Sequence, residues 1–281
     1  MGGTGGAERN IEKIILLENA YIIKIGGNIV DDQTKLSLFL DNFSALAGKK
    51  VLVHGGGKLA TKLAAELGIQ QQMVDGRRIT DGETLKIVTM VYAGFINKNI
   101  VAQLQARGCD ALGFCGADGN AILAHKRKAG AIGQNIDFGF VGDVDAINAE
   151  FLVKLLQENR TLVFAPITHD GKGQLLNTNA DTIAQELARG LSKAFHTSLV
   201  YSFEKSGVLL NADDDSSVIS RINPSYYQEL KERQVIFAGM IPKLDNAFTA
   251  LRSGVGKVII GRAEDLPQLL TGQAGTTIVH E

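Results

Sequence analysis

Tyr21-Ile22-Ile23-Lys24-Ile25-Gly26-Gly27 and Val51-Leu52-Val53-His54-Gly55-Gly56-Gly57 are two apolar runs that each end in glycines. A strand that runs into glycine lets the backbone turn sharply, so that several N–H groups converge on one anion. Two such turns about thirty residues apart have room for two different anionic groups. Lys24, one residue from the end of its strand, aims a cation at the same mouth. The combination points to phosphate handling rather than hydride chemistry.

Outward from these runs, apolar strand-like segments alternate with helical patterns. That alternation predicts an α/β fold, with a mostly parallel sheet covered by helices on both faces. A helix is expected near Lys35–Leu46. Leu59, Leu63 and Leu67 form a stripe stopped by Gly68. Thr80 and Glu83 fit a capping box before a long helix carrying Leu85, Val88, Tyr92 and Phe95. That helix has more apolar positions than one core stripe requires, which suggests contact with a second subunit. Residues 121–141 read as hairpins, Phe151–Leu156 as a helix and Thr161–Ala165 as a buried strand. Leu199–Tyr201 and Lys257–Ile260 read as further strands, the latter as the last. Asn211–Ser217 reads as a solvated loop, its Asp213-Asp214-Asp215 run included. Pro242 falls near a helix start, where its fixed φ costs little.

The chain has 281 residues and a net charge of -1, enough length for one large domain or two lobes and no basic excess for nucleic acid. No apolar run approaches the ~20 residues of a membrane span, and nothing resembles a signal peptide. Cys109 and Cys115 lack zinc or CxxC spacing and read as reduced thiols of a cytoplasmic protein. The glycine-rich Met1–Gly6 reads as a flexible leader. No GxxxxGK[ST] loop occurs. Asp137-Phe138-Gly139 spells a kinase tripeptide without its companion motifs. The glycine turns lack GxGxxG spacing, which disfavours a dinucleotide dehydrogenase. The histidines have no metal-ligand spacing.

Five segments occur in order: Lys24-Ile25-Gly26-Gly27, His54-Gly55-Gly56-Gly57, Gly76-Arg77-Arg78-Ile79-Thr80, Asn177-Thr178-Asn179-Ala180-Asp181 and Gly239-Met240-Ile241-Pro242-Lys243. Together they resemble the acetylglutamate kinase branch of the amino acid kinase family, from about residue 20 to the end of the chain. The resemblance implies an open three-layer αβα sandwich. After a leader and N-terminal segment (1–19), residues 20–192 would bind the amino-acid substrate and dimerise, and residues 193–281 would bind ATP, on one continuous sheet. The implied reaction moves the γ-phosphoryl of ATP to the side-chain carboxylate of N-acetyl-L-glutamate, a step in arginine biosynthesis.

In that frame Lys24 lies beside the moving phosphoryl, Lys243 over the leaving oxygens, and Asp181 holds both ammonium groups. Gly26 and Gly27 offer N–H groups to phosphate, and Gly207 borders the nucleotide. Gly56 and Gly57 approach the substrate, Arg78 grips its α-carboxylate, and Asn177 hydrogen-bonds it, with Asn179 a neighbour. Mg²⁺ would be held mainly through phosphates and water. A homodimer without arginine feedback is expected. Each residue alone has a plainer reading: Lys24 as a strand-ending lysine, Lys243 as a first-turn lysine, Asp181 as a helix-capping carboxylate, Arg77 as a solvated arginine. The loop Ser202–Val208 departs from the family's S/T-D-V-x-G turn, with Glu204 in the aspartate's place. Two alternatives stay open: a kinase for another N-acyl-glutamate, such as N-succinyl-glutamate, or another small carboxylate; and a nucleotide-binding sensor without turnover.

Overall fold

The computed structural model describes residues 17–74, 77–130, 136–211, 213–236 and 240–281. The leader, Gly76 and Gly239 lie outside them. Eight strands form the central sheet. From edge to edge they are Arg221–Ile222, Thr276–Ile278, Lys257–Arg262, His196–Phe203, Asn19–Ile25, Lys49–His54, Thr161–Phe164 and Ala111–Phe114. Every pairing is parallel except that between Lys257–Arg262 and Thr276–Ile278. The three-residue strand Thr276–Ile278 corrects the expectation that Lys257–Ile260 is last; it is too short to leave a periodic signal.

Alternation along the strands builds the layers. Ile22, Val51, Leu162, Leu199 and Val258 pack on one face with Ile183, Leu187 and Leu191 of the Ala180–Leu191 helix. Their neighbours Ile23, Leu52, Val163, Val200 and Ile259 pack on the other, with Phe39, Leu40 and Phe43 of the Gln33–Ala45 helix. Strands buried on both faces read as continuous apolar runs, which is why they were visible in the sequence. A smaller four-stranded sheet of Leu175–Asn177, Ile167–His169, Ile122–Lys126 and Gly142–Ile147 adjoins one end. The hairpin expected over 121–141 is there, but its return strand begins at Gly142.

Three local expectations are corrected. The Gly57–Glu66 helix buries Ala60 and Ala64 fully; Leu59 and Leu63 of the stripe pack against the core at its edge, and Leu67 is exposed. Asp81, not Thr80, caps the Gly82–Val88 helix by accepting from the Thr84 amide at 2.7 Å. Thr80 Oγ1 donates instead to the Arg78 carbonyl, and Glu83 pairs with Lys86. Finally, the long helix runs Gly82–Val88 as α, Thr89–Ile96 as π and Asn97–Gln105 as α. A π turn holds more residues than an α turn. After Tyr92 the buried position is therefore Ile96, and Phe95 is 65% exposed.

His54, at the end of its strand, is fully buried. Nδ1 lies 2.8 Å from the Gly55 carbonyl, so it carries the proton and donates. Nε2 then accepts from the Asn97 amide at 3.3 Å, and that amide also donates to the Val163 carbonyl at 3.0 Å. Burial pushes the imidazole down to about 4; the Gly55 contact opposes this and Lys98 adds to it. Between pH ~6.5 and ~4 the unfolded chain takes up a proton here that the folded chain refuses. Stability conferred by neutral His54 is thus full above pH ~6.5 and is lost as pH falls towards 4, by about 3 kcal/mol in total. Urea midpoints of wild type and His54→Gln measured from pH 7.5 to 4.5 check this. The variant should show a shallower decline, and parallel curves would contradict it.

Candidate active site

Two cavities open side by side at the carboxyl ends of the central strands. One, of about 630 Å³, is lined by Gly56, Gly57, Arg78, Asn177 and Asp181 among others. The second, of about 500 Å³, lies between Gly26 and Gly27 on one side and Ser202, Phe203 and Glu204 on the other. Both are bordered by Gly57 and Lys243. Ile25 is in register with His54 on one neighbour and with Ser202 on the other, so the three strands end at one level. The chain continues from Asn19–Ile25 to one side of the sheet and returns to its other side at His196–Phe203. Ligands of open α/β sheets bind at such a switch point.

Lys24 Nζ lies 2.8 Å from Asp181 Oδ1, with both side chains largely shielded. Asp181 is in the first turn of the Ala180–Leu191 helix, where the macrodipole favours an anion. The cap itself is Asn179, whose side chain accepts from the Asp181 amide at 2.7 Å and the Thr182 amide at 3.3 Å. Asn179 therefore does the capping, and the Asp181 carboxylate is left for the ammonium. Lys243 enters from the first turn of the Ile241–Arg252 helix, its Nζ 3.7 Å from the centroid of the Phe203 ring. Burial lowers its pKa from the ordinary lysine value, the Asp181 charge offsets part of that, and Lys24 adds to it. The three charged groups, far apart in sequence, thus act on one another across the junction of the two cavities.

Arg78 is buried, and its Nη2 donates to the Gly57 carbonyl and to Thr61 Oγ1, each at 3.0 Å. Its Nη1 is shielded from solvent and has no partner among the described residues. A buried donor without an acceptor is costly, and a bound anion would relieve the cost. Gly56 has φ +155°, and a Cβ there would fall 2.2 Å from Ile96 Cδ1 and 3.2 Å from Tyr92 Cδ1. Glycine lets the turn press against the π segment. Asn177 lines the same cavity, its amide donating to Thr80 Oγ1 at 3.0 Å. In the second cavity Ser202 Oγ is buried and has no hydrogen-bond partner among the described residues.

Other residues fall differently from expectation. Gly207 lines neither cavity; it is buried where a Cβ would meet Thr276 Oγ1 at 2.7 Å and Val218 Cγ1 at 2.9 Å. Close packing accounts for its glycine. Arg77 is exposed, yet it borders the larger cavity rather than open solvent alone. Arg127 also lines that cavity and was missed. It is held by Asp143, with Nε 3.0 Å from Oδ1 and Nη2 2.5 Å from the same oxygen. No local pattern marks it, because only the small sheet brings it to the site. Asp137-Phe138-Gly139 forms a turn in which Asp137 accepts from the Gly139 amide at 2.8 Å. Cys109 and Cys115 are both free thiols. No group of three or more His, Cys, Asp or Glu residues able to hold a metal occurs among the described residues. Nor is any described helix long and apolar enough to cross a membrane.

The profile of the Amino acid kinase family matches residues 19–262, the span that contains seven of the eight central strands and the residues lining both cavities. The chain belongs to the amino acid kinase family. Within the family it is 55% identical to an acetylglutamate kinase of Cytophaga hutchinsonii, over 94% of this chain and 99% of the relative. It is 38% identical to one of Methanopyrus kandleri, over 87% of this chain and 96% of the relative. Among solved structures, the smu.665 protein of Streptococcus mutans superposes with a TM-score of 0.73 at 26% identity, covering 94% of this chain and 99% of that one. Carbamate kinase of Giardia lamblia bound to AMP-PNP superposes at 0.68 and 15% identity, over 94% and 99%, and shares the fold.

Proposed function

We propose that this amino acid kinase transfers the γ-phosphoryl group of ATP to the side-chain carboxylate of N-acetyl-L-glutamate, giving N-acetyl-L-glutamyl 5-phosphate for arginine biosynthesis in the cytoplasm. One observation carries the reading: Asp181, which lines the larger cavity, pairs with Lys24 at 2.8 Å, and its charge also acts on Lys243, which borders both cavities. A carboxylate is already a nucleophile at neutral pH, so no general base is required, which fits a site without an available histidine. ATP would supply the activated phosphoryl group, with Mg²⁺ held mainly by phosphates and water.

Gly26 and Gly27 then donate N–H groups to the phosphate side. Arg78 binds the α-carboxylate through its unpartnered Nη1, and Asn177 orients the substrate with Gly56 and Gly57. Lys24 and Lys243 stabilise charge on the group in transit, and Asp181 keeps the two ammonium groups from repelling each other out of place. Residues 20–192 form the lobe for the amino acid and 193–281 the lobe for the nucleotide. Met90 and Phe95, both more than half exposed on the π segment, support a homodimer, which light scattering tests.

A second reading differs only at the acyl group. Arg77 and Arg127 border the same cavity as Arg78; Arg127 is paired with Asp143, and Arg77 adds positive charge beyond what one α-carboxylate requires. An acyl group ending in its own carboxylate, as in N-succinyl-L-glutamate, would use it. Hydroxylamine trapping of the acyl phosphate with a panel of N-acyl-glutamates separates the readings. The first expects N-acetyl-L-glutamate to have the highest kcat/KM. The second expects the N-succinyl compound to exceed it by about tenfold or more, the scale of one added charged hydrogen bond. ATP binding without hydroxamate from any acceptor would indicate a sensor.

A further inference from the structure

The loop after the His196–Phe203 strand lines the smaller cavity, and a polar chain ties it there. Asn28 Nδ2 donates to Glu204 Oε1, and Lys58 Nζ donates to Asn28 Oδ1. All three residues line the cavity, and they come from three separate elements. Asn28 uses both ends of its amide, so its orientation is fixed by a carboxylate on one side and an ammonium on the other. Lys58 is in the first turn of the Gly57–Glu66 helix, where the macrodipole disfavours a cation. It also lowers the pKa of the nearby Asp31, against the burial that raises it.

An exposed lysine gains little from a neutral amide oxygen and loses rotamer freedom by being held. Attraction to Asp31 is one local gain for Lys58, but it does not require the tie to Asn28. Its ammonium has three donors, and Asn28 occupies one. Lys58 lines the cavity together with Lys243, Gly26 and Gly27. We infer that Lys58 is a phosphate-binding residue for the nucleotide, and that Asn28, braced by Glu204, is the positioning residue that presents it. This rests on reading the smaller cavity as the nucleotide phosphate site. Lys58 bonds triphosphate oxygens with its free N–H groups while keeping Asn28, and the Glu204 loop is thereby held across the nucleotide.

Calorimetric titration of the full chain with Mg·ATP alone, and separately with N-acetyl-L-glutamate alone, tests the inference. Lys58→Met should weaken Mg·ATP about tenfold or more, the loss of one or two charge-assisted hydrogen bonds. Lys58→Arg should bind within about threefold of wild type, and Asn28→Ala should fall between the two. Acceptor affinity should not change. Mg·ATP affinity within twofold of wild type in Lys58→Met overturns the inference, as does an equal loss for both ligands. Binding is read without turnover. A chain that needs Lys58 for Mg·ATP but forms no acyl phosphate refutes the proposed reaction and leaves this inference standing. Acyl phosphate formation with unaltered nucleotide affinity in Lys58→Met does the reverse.

Discussion

Lys24→Met is expected to lower kcat by about three orders of magnitude, near the upper end of what one lost electrostatic partner of a transition state costs. The substitution removes the charge nearest the Asp181 carboxylate, at 2.8 Å, and leaves Lys243 as the remaining cation acting on that carboxylate. KM for the acceptor should move far less, because Arg78 and the glycine turn, not Lys24, grip its other end. Lys24→Arg keeps the charge but brings a planar fork where a compact ammonium fits, so it should recover only part of the loss. The strand is buried and the lysine nearly so, so thermal unfolding of each variant should accompany the kinetics. A folded Lys24→Met enzyme with kcat within threefold of wild type would remove Lys24 from the chemistry.

Arg78 carries the second large effect, and it should appear in the other kinetic constant. Arg78→Met removes the buried guanidinium whose Nη1 has no partner among the described residues. Loss of a charged hydrogen-bonding pair with the acceptor is worth about 3 kcal/mol, or about a hundredfold in kcat/KM. Most of it should be a rise in KM for the N-acyl-glutamate, with KM for ATP little altered. Arg78→Lys retains charge but loses both bonds of Nη2 to Gly57 and Thr61, so it should lie between wild type and Met. Equal rises in KM for both substrates would mean that Arg78 supports the glycine turn rather than the acceptor.

The reach of sequence reasoning here follows from where each signal resides. Strands buried on both faces and ending in glycine are local patterns, and they located the switch point of the sheet. The ordered motifs also brought Lys24 and Asp181 to within bonding distance before any coordinates did. What stayed hidden depends on tertiary structure. Arg127 reaches the cavity only through the pairing of Ile122–Lys126 with Gly142–Ile147 and is pinned there by Asp143. Gly207 looked like a ligand-facing glycine because an invading Thr276 leaves no mark on its neighbours in the chain. Asp81 displaced Thr80 as cap because Thr80 is engaged by Arg78 and Asn177, contacts spanning up to about a hundred positions. The phase error at Phe95 came from assuming 3.6 residues per turn through a segment that has more.

That same wide turn sets a limit on how this chain can change its length. A single deletion between Thr89 and Ile96 keeps the flanking faces in phase only by rewinding the segment as ordinary α; an insertion, or a second deletion, would swing everything after it by roughly 100°. Asn97 would then leave both His54 and the Val163 carbonyl, and the glycine turn would lose its brace from below. Exposed positions such as Phe95 can vary in identity, but the number of residues in this stretch is under much tighter constraint. Indels should be rarest here even where the letters themselves drift freely.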